Sequence, residues 1–253
     1  MSDAAYFEDD GITIYHGDCR EVILALIPQV DVVVTDPPYG DTSLQWDRRV
    51  SDWQEDVALV TSQLWCFGSL RSHMAEQGAF VAAGWKLAQD VVWEKHNGSG
   101  FHADRFKRVH EIAVHWYRGE WGSAYKKPPV TMDATARTVR RKKRPTHTGH
   151  IDRGSYASED GGPRLMRSVQ RVRSEHGRAV HPTQKPLGIL RPLIEHSCPP
   201  GGIVLDPFMG SGSTLLAARD MGCRAIGIEI DERYCEATVR RLAQFALDVG
   251  GPR

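Results

Sequence analysis

A carboxylate, two prolines and an aromatic ring follow one another in the segment Asp36-Pro37-Pro38-Tyr39. The apolar, β-branched run 32–35 predicts a buried strand that ends at this turn. Two successive prolines fix two φ angles and remove two N–H donors, which leaves the carbonyls of Asp36 and Pro37 without ladder partners. A carboxylate, a free carbonyl and a stacking ring suit a planar group with an exocyclic NH2. Such turns also end strands that bind nothing, so the motif alone leaves both interpretations open.

A glycine loop follows a second apolar strand in segment 204–214. Gly210 and Gly212 would let the backbone approach a ligand at the start of a helix. Glu229 ends the next predicted strand, where nucleotide-binding folds place a carboxylate on ribose hydroxyls. The loop matches neither GxGxxG nor the Walker A pattern, and Asp206 at its start favours a cationic cofactor over a polyphosphate. We therefore expect a nucleoside-containing cofactor; a turn that serves only strand–helix packing is the alternative.

Composition bounds the class of protein. With 253 residues, 41% of them hydrophobic, the chain is expected to form one large domain or one domain with an insertion. No apolar run approaches the roughly 20 residues that span a membrane, and the N-terminus does not resemble a signal peptide. The five cysteines form no CxxC pair, which argues for a reducing compartment and against a zinc site. The histidines show no HExxH-like spacing, so no metal is expected.

The net charge of zero conceals a basic segment. Residues 121–180 contain 14 Lys and Arg against 5 Asp and Glu, a local charge of +9 that the rest of the chain balances. The densest run is Arg140, Arg141, Lys142, Lys143 and Arg144. Phosphate contacts dominate nucleic-acid affinity, so a basic insertion in an acidic protein favours DNA or RNA binding. The alternative is a solvated or disordered charge run.

Strands and helices alternate on both sides of this segment, which predicts a doubly wound, mostly parallel α/β sheet. The stretches 89–94 and 111–116 flank a glycine-rich loop and are expected to be antiparallel strands, one of them at an edge. Pro192 should kink or restart the helix predicted over 186–196, and Asp231 should cap the last helix. We expect a catalytic half at 1–120, a basic, loop-rich target-recognition insertion at 121–180, and a cofactor-binding half at 181–253.

Together these motifs resemble the AdoMet-dependent amino-methyltransferases of DNA. That family has a target-base motif Asp-Pro-Pro-Tyr, here 36–39, and an AdoMet motif Phe-x-Gly-x-Gly, here 208–212. A third motif, His-Pro-Thr-Gln-Lys-Pro, is present at 181–186. The order of catalytic motif, basic insertion and AdoMet motif is that of the circularly permuted β group. The resemblance covers nearly the whole chain, and it implies a Rossmann-like methyltransferase fold.

The resemblance implies a role for each motif residue. Asp36 and the Pro37 carbonyl accept from the target amine, Pro38 completes the turn, and Tyr39 stacks on the extruded base. The implied cofactor-binding residues are Asp18, Cys19, Thr183, Lys185, Asp206, Phe208, Gly210, Gly212, Thr214 and Glu229. Within this set, Phe208, Asp18 and Cys19 lie near the adenine and Glu229 holds the ribose hydroxyls. Thr183, Lys185 and Thr214 are candidates for the methionine carboxylate.

The implied activity is methyl transfer from AdoMet to N6 of a flipped adenine in double-stranded DNA, with S-adenosyl-L-homocysteine as the product. The alternatives are methylation of cytosine N4 or of RNA, a binding protein on a degenerate methyltransferase scaffold and, less favoured, a protein-glutamine methyltransferase or a dinucleotide oxidoreductase. Dimers are common in the family, so a homodimer is one expectation, and a restriction endonuclease is a further candidate partner. The expected location is cytoplasmic, on the nucleoid when bound to DNA.

Overall fold

The computed structural model describes residues 4–40, 47–99, 103–140, 155–174 and 184–250. The chain forms two compact units. The larger consists of segments 1–127 and 168–253, and the smaller of segment 128–167. The predicted insertion, 121–180, encloses the smaller unit.

The helices are α1 Cys19–Leu26, α2 Trp53–Val60, α3 Leu70–Ala82, α4 Leu187–Ser197, α5 Ser213–Asp220 and α6 Glu232–Gly250. The strands of the larger unit are β1 Phe7–Asp9, β2 Ile12–His16, β3 Val32–Thr35, β4 Gln63–Gly68, β5 Lys86–Ser99, β6 Arg108–Tyr117, β11 Val169–Arg171, β12 Ile203–Asp206 and β13 Arg224–Glu229. Those of the smaller unit are β7 Val130–Thr131, β8 Arg137–Arg140, β9 Ser155–Ser158 and β10 Arg164–Leu165.

The larger unit is built on one sheet, whose nine described strands run in the order β1-β2-β13-β12-β3-β4-β6-β5-β11. Five neighbours, from β2 to β4, are parallel. Strand β6 runs antiparallel to both β4 and β5, while β1 is the antiparallel edge strand. This arrangement confirms the predicted mostly parallel α/β fold. It also brings the carboxyl ends of β2, β13, β12 and β3 to one edge of the sheet.

Strand β3 shows why the run before the Asp-Pro-Pro-Tyr turn is continuously apolar. Val32 and Val34 pack into a cluster that includes Ile194 of α4, whereas Val33 packs on the other face with Val57 of α2. All three valines are fully buried. A strand covered by helices on both faces needs apolar residues at every position. The turn at 36–39 is therefore fixed to the most buried part of the sheet.

Helix α4 continues across Pro192, so of the two effects predicted for that proline, a kink or a restart of the helix, the restart is wrong. A proline inside a helix removes one backbone hydrogen bond and crowds the preceding turn. Burial of the apolar face, including Leu190, Leu193 and Ile194, offsets that loss. Asp231 precedes α6 as expected, and its carboxylate accepts from the Arg233 N–H at 3.0 Å.

The smaller unit contains two short antiparallel pairs, β7 with β10 and β8 with β9. Two- and four-residue strands carry too little periodicity to be predicted from sequence, which is why this segment was expected to consist mainly of loops. Arg140 ends β8, while Arg141, Lys142, Lys143 and Arg144 lie outside the described residues. Among the helices that the structure describes, none has the length and apolar content needed to cross a membrane.

Candidate active site

A cavity of about 210 Å³ opens at the carboxyl edge of the parallel strands. Its walls come from the turn after β3, the loop after β12, the end of β13 and the segment before α4. The predicted site residues that line it are Asp36, Pro38, Lys185, Asp206, Phe208, Gly210, Thr214 and Glu229. Residues separated by nearly 200 positions in sequence thus share one cavity.

Both carboxylate oxygens of Asp36 accept hydrogen bonds. The Tyr39 hydroxyl donates to Oδ1, and the Lys185 ammonium donates to Oδ2. The Lys185 side chain is only 7% exposed, and its Nζ also lies 3.2 Å from Oε2 of Glu111 on β6. The other oxygen of Glu111 pairs with Lys95 on β5. Two carboxylates and two ammonium groups therefore alternate in one cluster, of which Asp36 and Lys185 line the cavity.

Burial and charge act against each other in this cluster. Burial raises the pKa of Asp36 above its usual value and the Glu111 carboxylate adds to the rise, although Lys185 opposes it. Burial alone would lower the pKa of Lys185, yet its two carboxylate neighbours raise it above the usual value. Burial also opposes ionisation of Glu111, but Lys185 and Lys95 outweigh it and lower its pKa. Lys185 is thus held as a cation between two carboxylates.

The Tyr39 ring lies beside this cluster. Burial, together with the charges of Asp36 and Glu111, raises the pKa of Tyr39 well above its ordinary value, so its hydroxyl stays a donor. The Lys185 ammonium is 5.9 Å from the Tyr39 ring centroid and 5.3 Å from that of Phe67. Pro37, which directly follows Asp36, is buried. The motif thus places one carboxylate beside one aromatic ring, and the Lys185 ammonium lies close to both.

Asp206 is 4% exposed. Its Oδ1 accepts from the Thr35 hydroxyl at 2.7 Å and from the Phe208 N–H at 3.1 Å. Burial raises its pKa to about 6, and the hydrogen bonds, including one with Thr214, limit the rise. The structure describes no cation paired with this carboxylate, which suits it to a positively charged ligand.

The glycine loop uses backbone conformations that other residues rarely adopt. Gly210 has φ +50° and Gly212 has φ +74°. The Gly210 N–H donates to Oε2 of Glu229 at 2.9 Å, and the Asp231 N–H donates to Oε1 at the same distance. A Cβ on Gly212 would lie 2.3 Å from Thr238 Cγ2, so this glycine is also needed for packing against α6.

A second cavity of about 300 Å³ adjoins the first and shares Pro38, Phe208, Glu229 and Ile230 with it. It is also lined by Asp18 and Cys19. The Phe208 ring lies between the two, with its edge-to-face partner Trp53 at 5.4 Å between centroids. Two adjoining cavities that share an aromatic residue fit an elongated ligand with a planar end and a charged end.

Asp18 and Cys19 have structural partners of their own. The Asp18 carboxylate caps α1 and pairs with Arg20 at 2.7 Å, which lowers its pKa. Burial raises the pKa of Cys19 to about 12, so its thiol is not a nucleophile at neutral pH. Thr183 lies outside the described residues. Within the described part of the chain, no three His, Cys, Asp or Glu side chains are grouped so as to hold a metal ion.

Four residues of the site were not predicted from sequence: Thr35, Trp53, Lys95 and Glu111. Thr35 ends an otherwise apolar strand, where a polar residue is the available sequence signal. Glu111 follows another polar residue, His110, in β6 and carries no comparable signal. Trp53 and Lys95 carry no such signal, because their roles depend on contacts with Phe208 and Glu111. Pairing between distant strands brings these residues into the site.

Comparison with known proteins identifies the family. The family model described as DNA methylase, for N6/N4 methyltransferases, matches residues 30–240. The chain belongs to this family. It is 27% identical to the Type II methyltransferase M.HinfI of Haemophilus influenzae, over 92% of this chain and 68% of that protein. This result confirms the predicted family and makes the protein an AdoMet-dependent DNA methyltransferase.

Solved structures agree with the fold of this DNA methylase. The M1.HpyAVI–SAM complex has a TM-score of 0.63 and 25% identity, covering 91% of this chain and 99% of that one. The cytosine-N4-specific PvuII DNA methyltransferase has a TM-score of 0.66 at 15% identity, covering 94% and 88%, and supports the fold alone. The paired cavities and the carboxylates of Asp206 and Glu229 fit AdoMet, which has a cationic end and a ribose.

Proposed function

We propose that this DNA methylase transfers the methyl group of AdoMet to N6 of an adenine extruded from duplex DNA. The observation that carries the proposal is the position of the Asp36 carboxylate. Asp36 is the first residue of a rigid turn, directly after β3, and it faces a cavity that Asp206 and Glu229 also line. An acceptor for an amine therefore lies beside groups that suit a cationic, ribose-containing cofactor.

The proposed chemistry needs positioning more than a strong base. The lone pair of an aromatic NH2 is delocalised into its ring, which makes the nitrogen a poor nucleophile. Acceptors at Asp36 and the Pro37 carbonyl would draw on the two N–H bonds and free the lone pair, while Tyr39 stacks on the base. AdoMet supplies an electrophilic methyl group when bound. The target must leave the helix first, because its amine cannot be reached inside a duplex.

The choice of adenine over cytosine rests on the residue at position 36. The family uses Asp-Pro-Pro-Tyr mostly for adenine and Ser-Pro-Pro-Tyr mostly for cytosine in this motif order. The fold does not distinguish adenine from cytosine methylation, since the cytosine-N4-specific PvuII enzyme has the same fold. Methylation of cytosine N4 is accordingly the alternative outcome of the test below.

We assign the cofactor contacts by the chemistry of each cavity. Glu229 would accept from the ribose hydroxyls and Phe208 would contact the adenine. The carboxylate of Asp206 suits the cationic methionine end, and Thr214 is a candidate there for the carboxylate. Lys185 is the second candidate, although in this structure its ammonium pairs with Asp36.

We assign target recognition to the basic segment, 121–180, including Arg140–Arg144. Its charge of +9 would release counterions from DNA, so binding should weaken steeply as salt rises. The division of the chain into catalytic, recognition and cofactor-binding parts stays a prediction. The homodimer, the endonuclease partner and the location on the nucleoid also stay predictions.

The deciding experiment is incubation with AdoMet and unmethylated DNA, followed by mass analysis of the nucleosides. N6-methyladenine supports the proposal, whereas N4-methylcytosine replaces it with the alternative. Asp36→Ala should abolish turnover and leave AdoMet affinity within about threefold of wild type, because Asp36 is assigned to the amine. Full methylation by that variant would remove Asp36 from the mechanism.

A further inference from the structure

Glu111 poses an electrostatic problem beside the proposed catalytic carboxylate. Its side chain is 16% exposed and it raises the pKa of Asp36, the group that must be ionised to accept from an amine. Burying a second carboxylate there is unfavourable unless it is paired. Both Lys185 and Lys95 pair with it, which stabilises Glu111 without explaining its presence.

The two oxygens of Glu111 are in different situations. Oε1 is held by Lys95. Oε2 is buried and lies 3.2 Å from Lys185 Nζ, so it already attracts the ammonium, but this contact is longer and less well aligned than the Lys185–Asp36 hydrogen bond. A small movement of the ammonium toward Oε2 would improve the contact.

Asp36 shows the complementary situation. Both of its oxygens already accept, Oδ1 from Tyr39 and Oδ2 from Lys185. The Lys185 ammonium thus occupies one of the positions from which an amine N–H could donate to Asp36. Oδ2 can accept a second hydrogen bond, as Asp206 Oδ1 does, but departure of Lys185 would give the target amine unobstructed access to it.

We infer that Glu111 is a positioning residue, which receives the Lys185 ammonium on Oε2 and so frees Asp36 Oδ2 for the target amine. The inference rests on the proposed role of Asp36. The ammonium needs only a small rotation, because it already lies 3.2 Å from its second acceptor. Lys95 fixes the Glu111 carboxylate in place, and the cluster keeps two positive and two negative charges in both arrangements.

The test compares single-turnover methylation, at saturating AdoMet and DNA, with AdoMet affinity measured by calorimetry. Glu111→Gln should lower the single-turnover rate about tenfold or more and leave the AdoMet Kd within about twofold, since only the transfer of Lys185 is impaired. Glu111→Asp keeps the charge and should restore the rate to within about threefold of wild type. Glu195→Gln removes a glutamate paired with Lys127 at 2.8 Å and serves as the control, with an unchanged rate.

Glu111→Gln leaves an unbalanced positive charge, so a charge-balanced variant, Glu111→Gln with Lys95→Gln, is made alongside it to protect folding. It should show the same fall in rate. A wild-type rate in the glutamine variants overturns the inference, as does an equal loss in Glu111→Asp or a parallel loss of AdoMet affinity. Asp36→Ala distinguishes failure of the proposed function from failure of the positioning role. If Asp36→Ala is active, the proposed function itself fails. If Asp36→Ala is inactive but Glu111→Gln has the wild-type rate, only the positioning role is refuted.

Discussion

Asp206→Asn should stabilise the free protein at neutral and higher pH. The native carboxylate is buried, with its pKa raised from 3.8 to about 6, so its ionised form is less stable in the fold than in the unfolded chain. An asparagine whose amide oxygen takes the place of Oδ1 keeps the hydrogen bonds from Thr35 and Phe208. The Thr214 hydroxyl, the third partner of Asp206, can either donate to that oxygen or accept from the new NH2 group. The substitution therefore removes a buried charge while each of the three partners can still form a hydrogen bond.

The magnitude follows from the pKa difference. At pH 8 the carboxylate is ionised in both states, and a shift of this size corresponds to about 3 kcal/mol of lost stability. The sign is that of a raised pKa: the native carboxyl contributes stability at low pH that is lost as the pH rises through about 6. The gain from Asp206→Asn should therefore be about 3 kcal/mol at pH 8 and about half of that at pH 5.

Urea unfolding of both proteins between pH 5 and pH 8 measures this difference, and calorimetry measures AdoMet binding in parallel. The variant should bind AdoMet about tenfold more weakly or worse, since the cationic end loses its counter-charge. Asp90→Asn, at an exposed position on β5, is the matched control and should change stability by less than about 0.5 kcal/mol. An Asp206→Asn variant that is less stable at pH 8, or equally stabilised at both pH values, would refute the reasoning.

Three further substitutions address the remaining parts of the site. Tyr39→Phe should keep most of the methylation rate, whereas Tyr39→Ala should lose about 1–3 kcal/mol of base stacking, measured as weaker binding of DNA with an extruded target. Glu229→Gln should weaken AdoMet binding about tenfold by calorimetry, because one charge-assisted acceptor is lost. Gly212→Ala should lower the free energy of unfolding in urea by more than Gly201→Ala does. Both glycines have φ +74°, but only Gly212 has Thr238 within contact of a new Cβ.

The sequence allowed the parallel core of the fold to be predicted because its signals are local. The valines of β3 and the glycines after β12 identify their elements within a few residues. Strand β1, with the sequence Phe-Glu-Asp, was not predicted, since a short acidic edge strand lacks an apolar pattern. The order of strands in the sheet was not predicted either, because it depends on packing between segments far apart in the chain.

The same distinction applies to the site. Asp36 follows β3, while Asp206 and Glu229 end β12 and β13. All three strands can be recognised from sequence, and parallel strands bring their carboxyl ends to one edge. Glu111 was missed because β6 runs antiparallel to β4, so its side chain reaches the site from the start of a strand and not from the end. No rule about the carboxyl ends of parallel strands would have selected it.

The three carboxylates at this edge differ in what offsets their burial, and the difference agrees with their proposed ligands. Asp36 pairs with the Lys185 ammonium. Asp206 and Glu229 have only hydroxyl and backbone N–H donors among the described residues, and burial raises the pKa of both. A group that must accept from a neutral amine benefits from a nearby cation that keeps it ionised, and Lys185 stays in the same cluster whether its ammonium contacts Asp36 or Glu111. A group that binds a cationic ligand is better left without one, because an internal ammonium would compete with that ligand for the carboxylate.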